Sequence, residues 1–315
     1  MTHPWDPEQI IEPPMALQII REQFPELEPN HIHLLGAGWD NTAFILDEEL
    51  IFRFPRREIA LPLLEAEWCA LPKLALRLPL PIPVPKWKGS PASSFPWPFI
   101  GYRMIPGFTA CYANLLEDER AFLAEPIAQF LATLHATPKS EISQYHLPGD
   151  HQRRIDGTLL TTKIKKTFSE LSLLGLLENE KQLDGVVQSL QHFRPPVNSF
   201  VVHGDFYVRH LLVDKNHHLV GVIDWGDIHL GDPAIDLAIA HSFLPPQAHK
   251  SFIKAYGEIS DETWALAKLR AVYSSTLLVL FGYHSNDPNI LLQVESENFK
   301  EQSRLDSNEY VGNCH

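Results

Sequence analysis

The sequence predicts an α+β protein with two lobes, a small lobe built on an antiparallel β-sheet and a larger, mainly helical lobe. Short apolar runs separated by glycine and acidic turns occupy residues 31–54, a pattern typical of an antiparallel meander. From residue 119 onward, apolar residues recur mostly at helical spacing. The turn dipeptide Pro106-Gly107 marks a boundary between these regions. We therefore predict an N-terminal lobe over 1–105 and a C-terminal lobe over 106–315.

The overall composition is that of an ordinary globular protein. The chain has 315 residues, of which 44% are hydrophobic, and a formal net charge of −13. This acidic balance disfavours binding to nucleic acid or to an anionic membrane, because both repel a negative surface. Three widely spaced cysteines and an N-terminus with no signal-peptide pattern predict a cytoplasmic protein. We expect a monomer or a weak dimer.

The first elements follow from a change in hydrophobic period. Helical spacing over Met15–Phe24 predicts a helix that stops at Pro25. Alternating runs then predict strands at residues 31–35, 43–46 and 50–54, joined by a glycine turn and a tight acidic turn.

A helix, a connector and a further strand complete the predicted N-terminal lobe. Leu63–Leu76 has helical spacing, although Pro72 must kink this helix or mark its boundary. Residues 79–85 form a polyproline-like connector, and Phe99–Ile105 predicts a strand. A cleft between two lobes is a favoured ligand site.

The C-terminal lobe is predicted to be mainly helical, with a β-hairpin embedded in it. Apolar spacing predicts helices at Glu119–His135, Ile155–Leu177, 180–192, Asp236–Phe243, Gln247–Tyr256, Asp261–Tyr283 and Asn289–Gln302. We interpret Asp261–Tyr283 as a buried helix, because Lys268 and Arg270 interrupt its apolar run.

Residues 200–240 carry the densest group of chemically active side chains. Asp205, His210 and Asp224 each lie near the end of a short apolar run. A hairpin with its turn at residues 214–217 brings the first two close to Asp224. Carboxylates and imidazoles at strand ends are typical of catalytic clefts, so this stretch predicts a metal–phosphate site.

The order of these motifs resembles that of a known enzyme family. The motif residues are His203–Asp205, His210, Ile223–Asp227 and Gly231–Ala238. They resemble the aminoglycoside phosphotransferase (APH) family, small-molecule kinases with a protein-kinase-like fold. The similarity spans about residues 30–245 and includes Gly36–Asn41, Phe52–Pro55 and Leu134–Ala136. The catalytic-loop stretch Asp205–His210 is most similar to the macrolide-phosphotransferase branch, which also carries Tyr and His there.

The resemblance implies roles for three residues of the C-terminal lobe. Asp205 matches the catalytic base, which accepts or orients the substrate hydroxyl. Asp224 matches the aspartate that bridges Mg²⁺ to the phosphates. His210 occupies a position where most of the family has Asn, whose amide oxygen suits Mg²⁺ better than imidazole does. We predict His210 as a second metal ligand, and the alternative is a supporting or packing histidine.

In the N-terminal lobe the resemblance implies a nucleotide site for ATP or GTP. Gly36 and Gly38 let the first hairpin turn approach phosphates closely, unless this is an ordinary turn. Arg53 stands where kinases usually have the phosphate-binding lysine, and its usual partner is a helix glutamate. Glu67 fits that partner better than Glu65. The hinge residues Tyr102 and Met104 are predicted to present backbone groups to the purine.

Other polar residues of the motif are expected to support the site. His203 is expected to brace the catalytic loop by hydrogen bonds. Asp236 opens an apolar helix, where its carboxylate is expected to cap free N–H groups. Asp232 fits a structural role, and Asp227 is equally compatible with a place near the metal and with a place on the surface.

The predicted function is transfer of the γ-phosphate of ATP or GTP, with Mg²⁺, to a hydroxyl of a small molecule. Aminoglycoside or macrolide antibiotics are the acceptors that the family suggests, and amino alcohols, homoserine or sugars are alternatives because fold does not determine the acceptor. A nucleotide-binding pseudokinase is a further alternative, given Arg53 and His210. A metal-dependent hydrolase is disfavoured, because the N-terminal meander would then have no purpose.

Overall fold

The computed structural model describes residues 7–38, 40–142, 147–176, 184–185, 187–188, 190, 192–193 and 199–285. In this part of the chain the predicted α+β architecture is confirmed, with an antiparallel N-terminal sheet followed by a largely helical region. The predicted helix at 289–302 lies outside the described residues, as does most of the one at 180–192.

The N-terminal lobe is a five-stranded antiparallel sheet with a helix packed against it. Helix α1 (Pro13–Gln23) precedes strands β1 (Ile32–Ala37), β2 (Asn41–Leu46) and β3 (Leu50–Pro55), as the alternating runs predict. The sheet order is β1-β2-β3-β5-β4, where β4 is Trp87–Gly89 and β5 is Phe99–Arg103. Aromatic side chains fill the lobe's core, and the rings of Phe54 and Phe99 stack 4.3 Å apart. This core holds β3, and therefore Arg53, rigidly.

Helix α2 (Leu61–Leu74) packs beside the sheet. Pro72 lies within this helix, and the helix continues to Leu74 instead of ending at the proline. The buried positions include Leu64, Glu67 and Leu71, which recur at helical spacing. A carboxylate on the buried face of a helix needs a partner. The burial of Glu67 therefore indicates that it forms an ion pair.

The chain leaves the first sheet after Arg103 and enters a different one at strand β6 (Phe108–Thr109). Strand β6 pairs with β8 (Leu211–Val213), which forms a hairpin with β9 (Leu219–Val222). The predicted hairpin is thus confirmed. The remaining pair joins β7 (Phe200–Val202) to β10 (His229–Gly231).

The first helices of the C-terminal lobe differ in part from the prediction. The helix predicted at Glu119–His135 is two helices, α3 (Glu117–Phe122) and α4 (Ala124–His135). Helix α5 (Lys139–Ile142) is short, and α6 (Gly157–Leu173) begins at Asp156, whose side chain accepts the backbone N–H of Leu159. This capping gives α6 a well-defined start.

The last helices pack against one another and against α4 and α6. They are α7 (Ala234–Ser242), α8 (His249–Tyr256) and α9 (Asp261–Ser285), close to their predicted bounds. By length and composition Asp261–His284 is apolar enough to cross a membrane, and 47% of its most apolar window is buried inside the protein. Leu269 and Val272 of α9 pack in one cluster with residues of α6.

Candidate active site

The predicted catalytic loop begins where strand β7 ends. Gly204, the middle residue of His203-Gly204-Asp205, has φ +87°, a conformation that side chains disfavour. A Cβ at this position would lie 2.2 Å from the backbone oxygen of Asp227. The loop therefore approaches the segment before β10 so closely that only glycine fits.

The carboxylate of Asp236 binds the start of this loop. Its Oδ2 accepts the backbone N–H of His203 at 2.7 Å, and its Oδ1 accepts that of Gly204 at 2.9 Å. We expected Asp236 to cap its own helix, and this expectation is wrong. Helix α7 starts two residues earlier, at Ala234, so the carboxylate is free to bind the neighbouring loop.

A second layer of hydrogen bonds fixes Asp236 in turn. His135 Nε2 lies 3.1 Å from Asp236 Oδ2, and His135 Nδ1 lies 2.8 Å from the hydroxyl of Tyr256. All of the Asp236 side chain is buried. Tyr256, His135 and Asp236 thus form a continuous chain of hydrogen bonds that ends at the catalytic loop. The sequence gives no sign of the contribution from Tyr256.

His203 braces the loop, as predicted. Its Nδ1 accepts the backbone N–H of Asp205 at 3.3 Å, so Nε2 donates to the carbonyl of Ile223 at 3.1 Å. The ring packs against the fully buried Trp225, with centroids 4.6 Å apart. Burial lowers the pKa of His203 to about 4, and a neutral ring is the form that this hydrogen-bond pattern requires.

Asp205 projects from the loop with 42% of its side chain exposed. The carboxylate nevertheless lies among many protein atoms, and desolvation raises its pKa to about 6, with His210 opposing the shift. A carboxylate with a raised pKa that still reaches solvent suits proton exchange with a bound hydroxyl.

His210 lies between Asp205 and Asp224. Its Nδ1 is 2.8 Å from the backbone oxygen of Asp205, and because a carbonyl only accepts, Nδ1 must carry a proton. Its Nε2 lies 3.3 Å from Asp224 Oδ2. Burial would lower the pKa of His210, but the carboxylate of Asp224 raises it. Nε2 therefore faces Asp224 either as a proton donor or, when deprotonated, with a lone pair.

Asp224 follows strand β9 and has φ 62°, in the left-handed region. Its side chain is 53% exposed. Partial desolvation would raise the pKa of Asp224, but His210 and Arg53 hold it well below its usual range. Asp224 is therefore ionised at all physiological pH values, as a hard-cation ligand must be.

These residues fit the Mg²⁺ that the resemblance implies. Nε2 of His210, when deprotonated, and Oδ2 of Asp224 offer two ligand atoms 3.3 Å apart, and the Asp224 side chain is half-exposed. Mg²⁺ usually binds through one or two protein ligands together with substrate phosphates and water. Within the described residues, no group of three or more His, Cys, Asp or Glu side chains is placed to hold a metal ion.

Arg53 reaches the site from strand β3. Its Nη1 donates to Glu67 Oε2 at 2.6 Å, and its Nη2 lies 3.7 Å from Asp224 Oδ1. The predicted pairing with Glu67 is thus confirmed, while Glu65 pairs with Lys88 near the surface. Burial would lower the pKa of Arg53, but the carboxylates raise it. Burial raises the pKa of Glu67 to about 7, and Arg53 opposes this shift.

The remaining predicted nucleotide-site residues lie in the same lobe. A Cβ at Gly36 would meet nothing within 4 Å, so the turn leaves open space there, and the Gly38 N–H bonds Asn41 O at 2.9 Å. Tyr102 lies beside Arg53, and burial raises its pKa. The backbone N–H of Met104 is already bonded to Glu49 O at 2.7 Å. The part these four residues play in nucleotide binding stays a prediction.

One residue near the loop was not found from the sequence. Arg154 lies in the segment before α6, and its Nη2 is 2.5 Å from Oδ1 of Asp227. Asp227 is therefore a paired residue at the edge of the site. An arginine in a segment without a motif carries no recognisable signal, because its partner is 73 residues away.

Comparisons with known proteins show which family the sequence matches. A model of the phosphotransferase enzyme family (APH) matches residues 31–272. An aminoglycoside 3'-phosphotransferase of Streptomyces ribosidificus is 32% identical over 161 residues, which are 49% of this chain and 57% of that protein. The protein YcbJ of Bacillus subtilis (strain 168) is 22% identical over 217 residues, 62% of this chain and 68% of that one.

Solved structures share the fold. The GDP complex of aminoglycoside 2'-phosphotransferase-IIIa has a TM-score of 0.69 and 23% identity, over 94% of this chain and 100% of that one. Macrolide 2'-phosphotransferase type I has a TM-score of 0.57 and 21% identity, over 92% and 98%. The predicted protein-kinase-like fold and the predicted phosphotransferase class, with an alcohol group as acceptor, are confirmed. Because the family model covers most of its length, the chain belongs to the APH phosphotransferase family.

Proposed function

We propose that this protein is a kinase that transfers the terminal phosphate of ATP or GTP to a hydroxyl of a small molecule. The observation that carries the proposal is the meeting of two charged groups from distant parts of the chain. Arg53 of the N-terminal sheet, braced by Glu67, lies 3.7 Å from Asp224, which His210 links to Asp205. Phosphoryl transfer needs such convergence of cationic, metal-binding and hydroxyl-orienting groups.

Each residue has a defined part in the proposed reaction. Asp205 orients the acceptor hydroxyl and takes its proton as the oxygen attacks phosphorus. Arg53 donates N–H groups to the phosphates, in the place of the usual lysine, and its planar fork suits them. Asp224 and His210 hold Mg²⁺, which when bound neutralises phosphate charge. Gly36, Gly38, Tyr102 and Met104 surround the nucleotide.

The related proteins define which acceptors to test. Relatives and structural neighbours are named as aminoglycoside and macrolide phosphotransferases, and one neighbour is a complex with kanamycin and GDP. An antibiotic hydroxyl is therefore one proposed acceptor for this chain. A metabolite hydroxyl, of the amino alcohol, homoserine or sugar type, is the other.

The proposal is tested by measuring ADP or GDP formation with a panel of kanamycin, erythromycin, choline, homoserine and ribose. We expect acceptor-dependent phosphate transfer that Asp205→Ala abolishes. Asp118→Ala is the matched control, because Asp118 is an exposed aspartate at the start of α3. Its turnover should equal that of the wild type.

A pseudokinase gives a different result. Arg53 and His210 stand at positions that usually carry Lys and Asn, so nucleotide binding without turnover is the competing outcome. Saturable binding of ATP or GTP with no transfer to any acceptor, in both wild type and Asp205→Ala, would reject the kinase and favour the pseudokinase.

A further inference from the structure

A segment of the C-terminal lobe before α6, residues 147–154, is attached to strand β10. The backbone N–H of Leu230, in the middle of β10, donates to the carbonyl of Pro148 at 2.8 Å, and Gly149 forms a parallel bridge with Leu230. Strand β10 also pairs with β7, the strand that leads into the catalytic loop. The segment and the strand before the loop therefore bind the same short strand.

A tight turn in this segment fixes the backbone of Arg154. Asp150 Oδ2 accepts the backbone N–H of Arg154 at 2.7 Å, and the carbonyl of Asp150 accepts that of Arg153 at 3.1 Å. Only 17% of the Arg154 side chain is exposed. A long side chain that is already ordered at its base loses less conformational entropy when its tip binds a partner. Arg154 is therefore well placed to act as an anchor.

The partner of Arg154 is the residue against which the catalytic loop packs. Nη2 of Arg154 donates to Asp227 Oδ1 at 2.5 Å. The backbone oxygen of Asp227 accepts from His229 Nδ1 at 2.7 Å and would lie 2.2 Å from a Cβ at Gly204. Asp227 thus contacts Arg154 through its carboxylate and borders the loop through its carbonyl.

Gly204 lies between two supports. Its backbone N–H donates to Asp236 at 2.9 Å, and the side of its Cα that would carry a Cβ faces the carbonyl of Asp227. Asp205 is the next residue in the chain. A shift of the Asp227 carbonyl would therefore free one side of Gly204 and let Asp205 move.

We propose that Arg154 is a positioning residue for phosphate transfer. By binding the carboxylate of Asp227 it holds the Asp227 carbonyl against Gly204, and this contact limits where Asp205 can place its own carboxylate. The inference rests on the proposed kinase function and adds to it a residue that acts only through other residues. A small displacement of a reacting group lowers kcat and has little effect on ground-state binding.

The kinetic test uses matched variants of two neighbouring arginines. Arg154→Met keeps the apolar stem, and it should lower kcat about tenfold while the KM for nucleotide changes by less than about twofold. Arg154→Lys keeps a charged donor and should recover part of the lost kcat. Arg153→Met is the control, because Arg153 is 66% exposed and pairs with Asp156 instead. Its kcat should equal that of the wild type.

A double-mutant cycle tests whether Arg154 acts through Asp227. Asp227→Ala breaks the same ion pair from the other side. The kcat of Arg154→Met/Asp227→Ala should be close to that of Asp227→Ala alone, because both changes remove one interaction. Losses in kcat that multiply in the double variant would contradict this route.

Hydrogen–deuterium exchange of the full chain without ligands tests the position of the loop independently of turnover. Peptides that cover residues 200–212 and 225–231 should exchange about twofold to fivefold faster in Arg154→Met, as the loss of one partly exposed ion pair implies. Peptides from β2 and β3 should exchange as in the wild type. In Arg153→Met the loop peptides should also be unchanged. Thermal unfolding followed by circular dichroism verifies that each variant is folded.

The two measurements separate this proposal from the kinase proposal. The positioning role is overturned if the loop peptides of Arg154→Met exchange like those of Arg153→Met, or if exchange rises equally throughout the chain. It is also overturned if Arg154→Met has the kcat of the wild type. A wild-type protein that forms no ADP or GDP with any acceptor would end the kinase proposal, whereas faster exchange confined to the loop peptides would still support Arg154 as their anchor.

Discussion

Arg53 and Glu67 depend on each other because both are buried. Their side chains are 9% and 3% exposed, and their polar atoms lie 2.6 Å apart. The ion pair offsets the desolvation of two charges, but removal of one partner leaves the other uncompensated in the interior. Arg53 thus serves both the stability of the N-terminal lobe and the proposed phosphate site, and only a double variant separates these effects.

We expect Arg53→Met to lower the free energy of unfolding by about 3–5 kcal/mol, because Glu67 is then a lone buried carboxylate. The double variant Arg53→Met/Glu67→Gln should recover most of the lost stability. Its affinity for nucleotide should remain low, because Arg53 is still absent. Urea unfolding and nucleotide titration measure the two properties. Glu65 lies on the same helix as Glu67 and forms a more exposed ion pair with Lys88. Lys88→Met breaks this pair and should lower the free energy of unfolding by less than about 1 kcal/mol. Equal losses in both single variants would contradict this account.

The pH dependence of activity should report Asp205. In the proposed reaction its ionised form accepts the proton of the acceptor hydroxyl, and desolvation raises its pKa to about 6. The active form is therefore lost as the pH falls through about 6, and kcat/KM should decrease about tenfold per pH unit below that point. Steady-state kinetics from about pH 5 to about pH 8 measures this dependence of kcat/KM. The stability of the protein is verified at each pH. A flat profile through the acidic limb would exclude Asp205 as the base.

At the scale of elements, the catalytic loop is determined by its contacts with helices. Asp236 of α7 accepts two backbone N–H groups of the loop, and His135 of α4 and Tyr256 of α8 fix Asp236. Three helices thereby position the loop that carries Asp205. Buried networks of this kind keep one geometry because any rearrangement leaves polar groups unsatisfied.

Gly204→Ala should disrupt this geometry. The residue has φ +87°, and its Cβ would clash with the Asp227 carbonyl, so both backbone strain and overlap arise. We expect a loss of about 1–3 kcal/mol in stability together with a drop in kcat. Gly149→Ala is the control, since a Cβ there meets nothing within 4 Å. Comparable kcat values for the two variants would contradict the tight docking of the loop.

Elements with clear periodicity were predictable, and those defined by distant contacts were not. The N-terminal strands, the β8–β9 hairpin and most helices follow from apolar spacing. Strands β6 and β10 have only two and three residues, too few to show a period, and exist because β8 and β7 pair with them. Among site residues, Asp205 and Asp224 lie in a specific motif, whereas Arg154 and Tyr256 are defined only by tertiary contacts.

At the scale of the whole molecule, the candidate site is assembled from both regions of the chain. Strand β3 contributes Arg53 and the segment after β9 contributes Asp224, and the two side chains are 3.7 Å apart. A nucleotide that contacts both groups adds binding energy to the folded state only. Ligand binding should therefore stabilise the assembly of the lobes.

We expect MgATP or MgGTP to raise the free energy of unfolding by about 2.7 kcal/mol at a concentration of 100 times Kd. Differential scanning fluorimetry detects this as a higher Tm. The shift should be strongly reduced in Asp224→Asn and unchanged in Asp118→Asn. If Asp224→Asn retains the full shift in the presence of Mg²⁺, Asp224 does not bind the metal–nucleotide complex.

The left-handed backbone of Asp224, with φ 62°, limits which amino acids the position tolerates. Asn and Gly enter this conformation at little cost, but β-branched and bulky residues do not. In a saturation library scored separately for abundance and for catalysis, the two scores should tolerate different amino acids at this position. Asp, Asn and Gly variants should accumulate as folded protein, and only Asp should be active. The backbone conformation and the proposed chemistry thus restrict the amino acid at position 224 independently of each other.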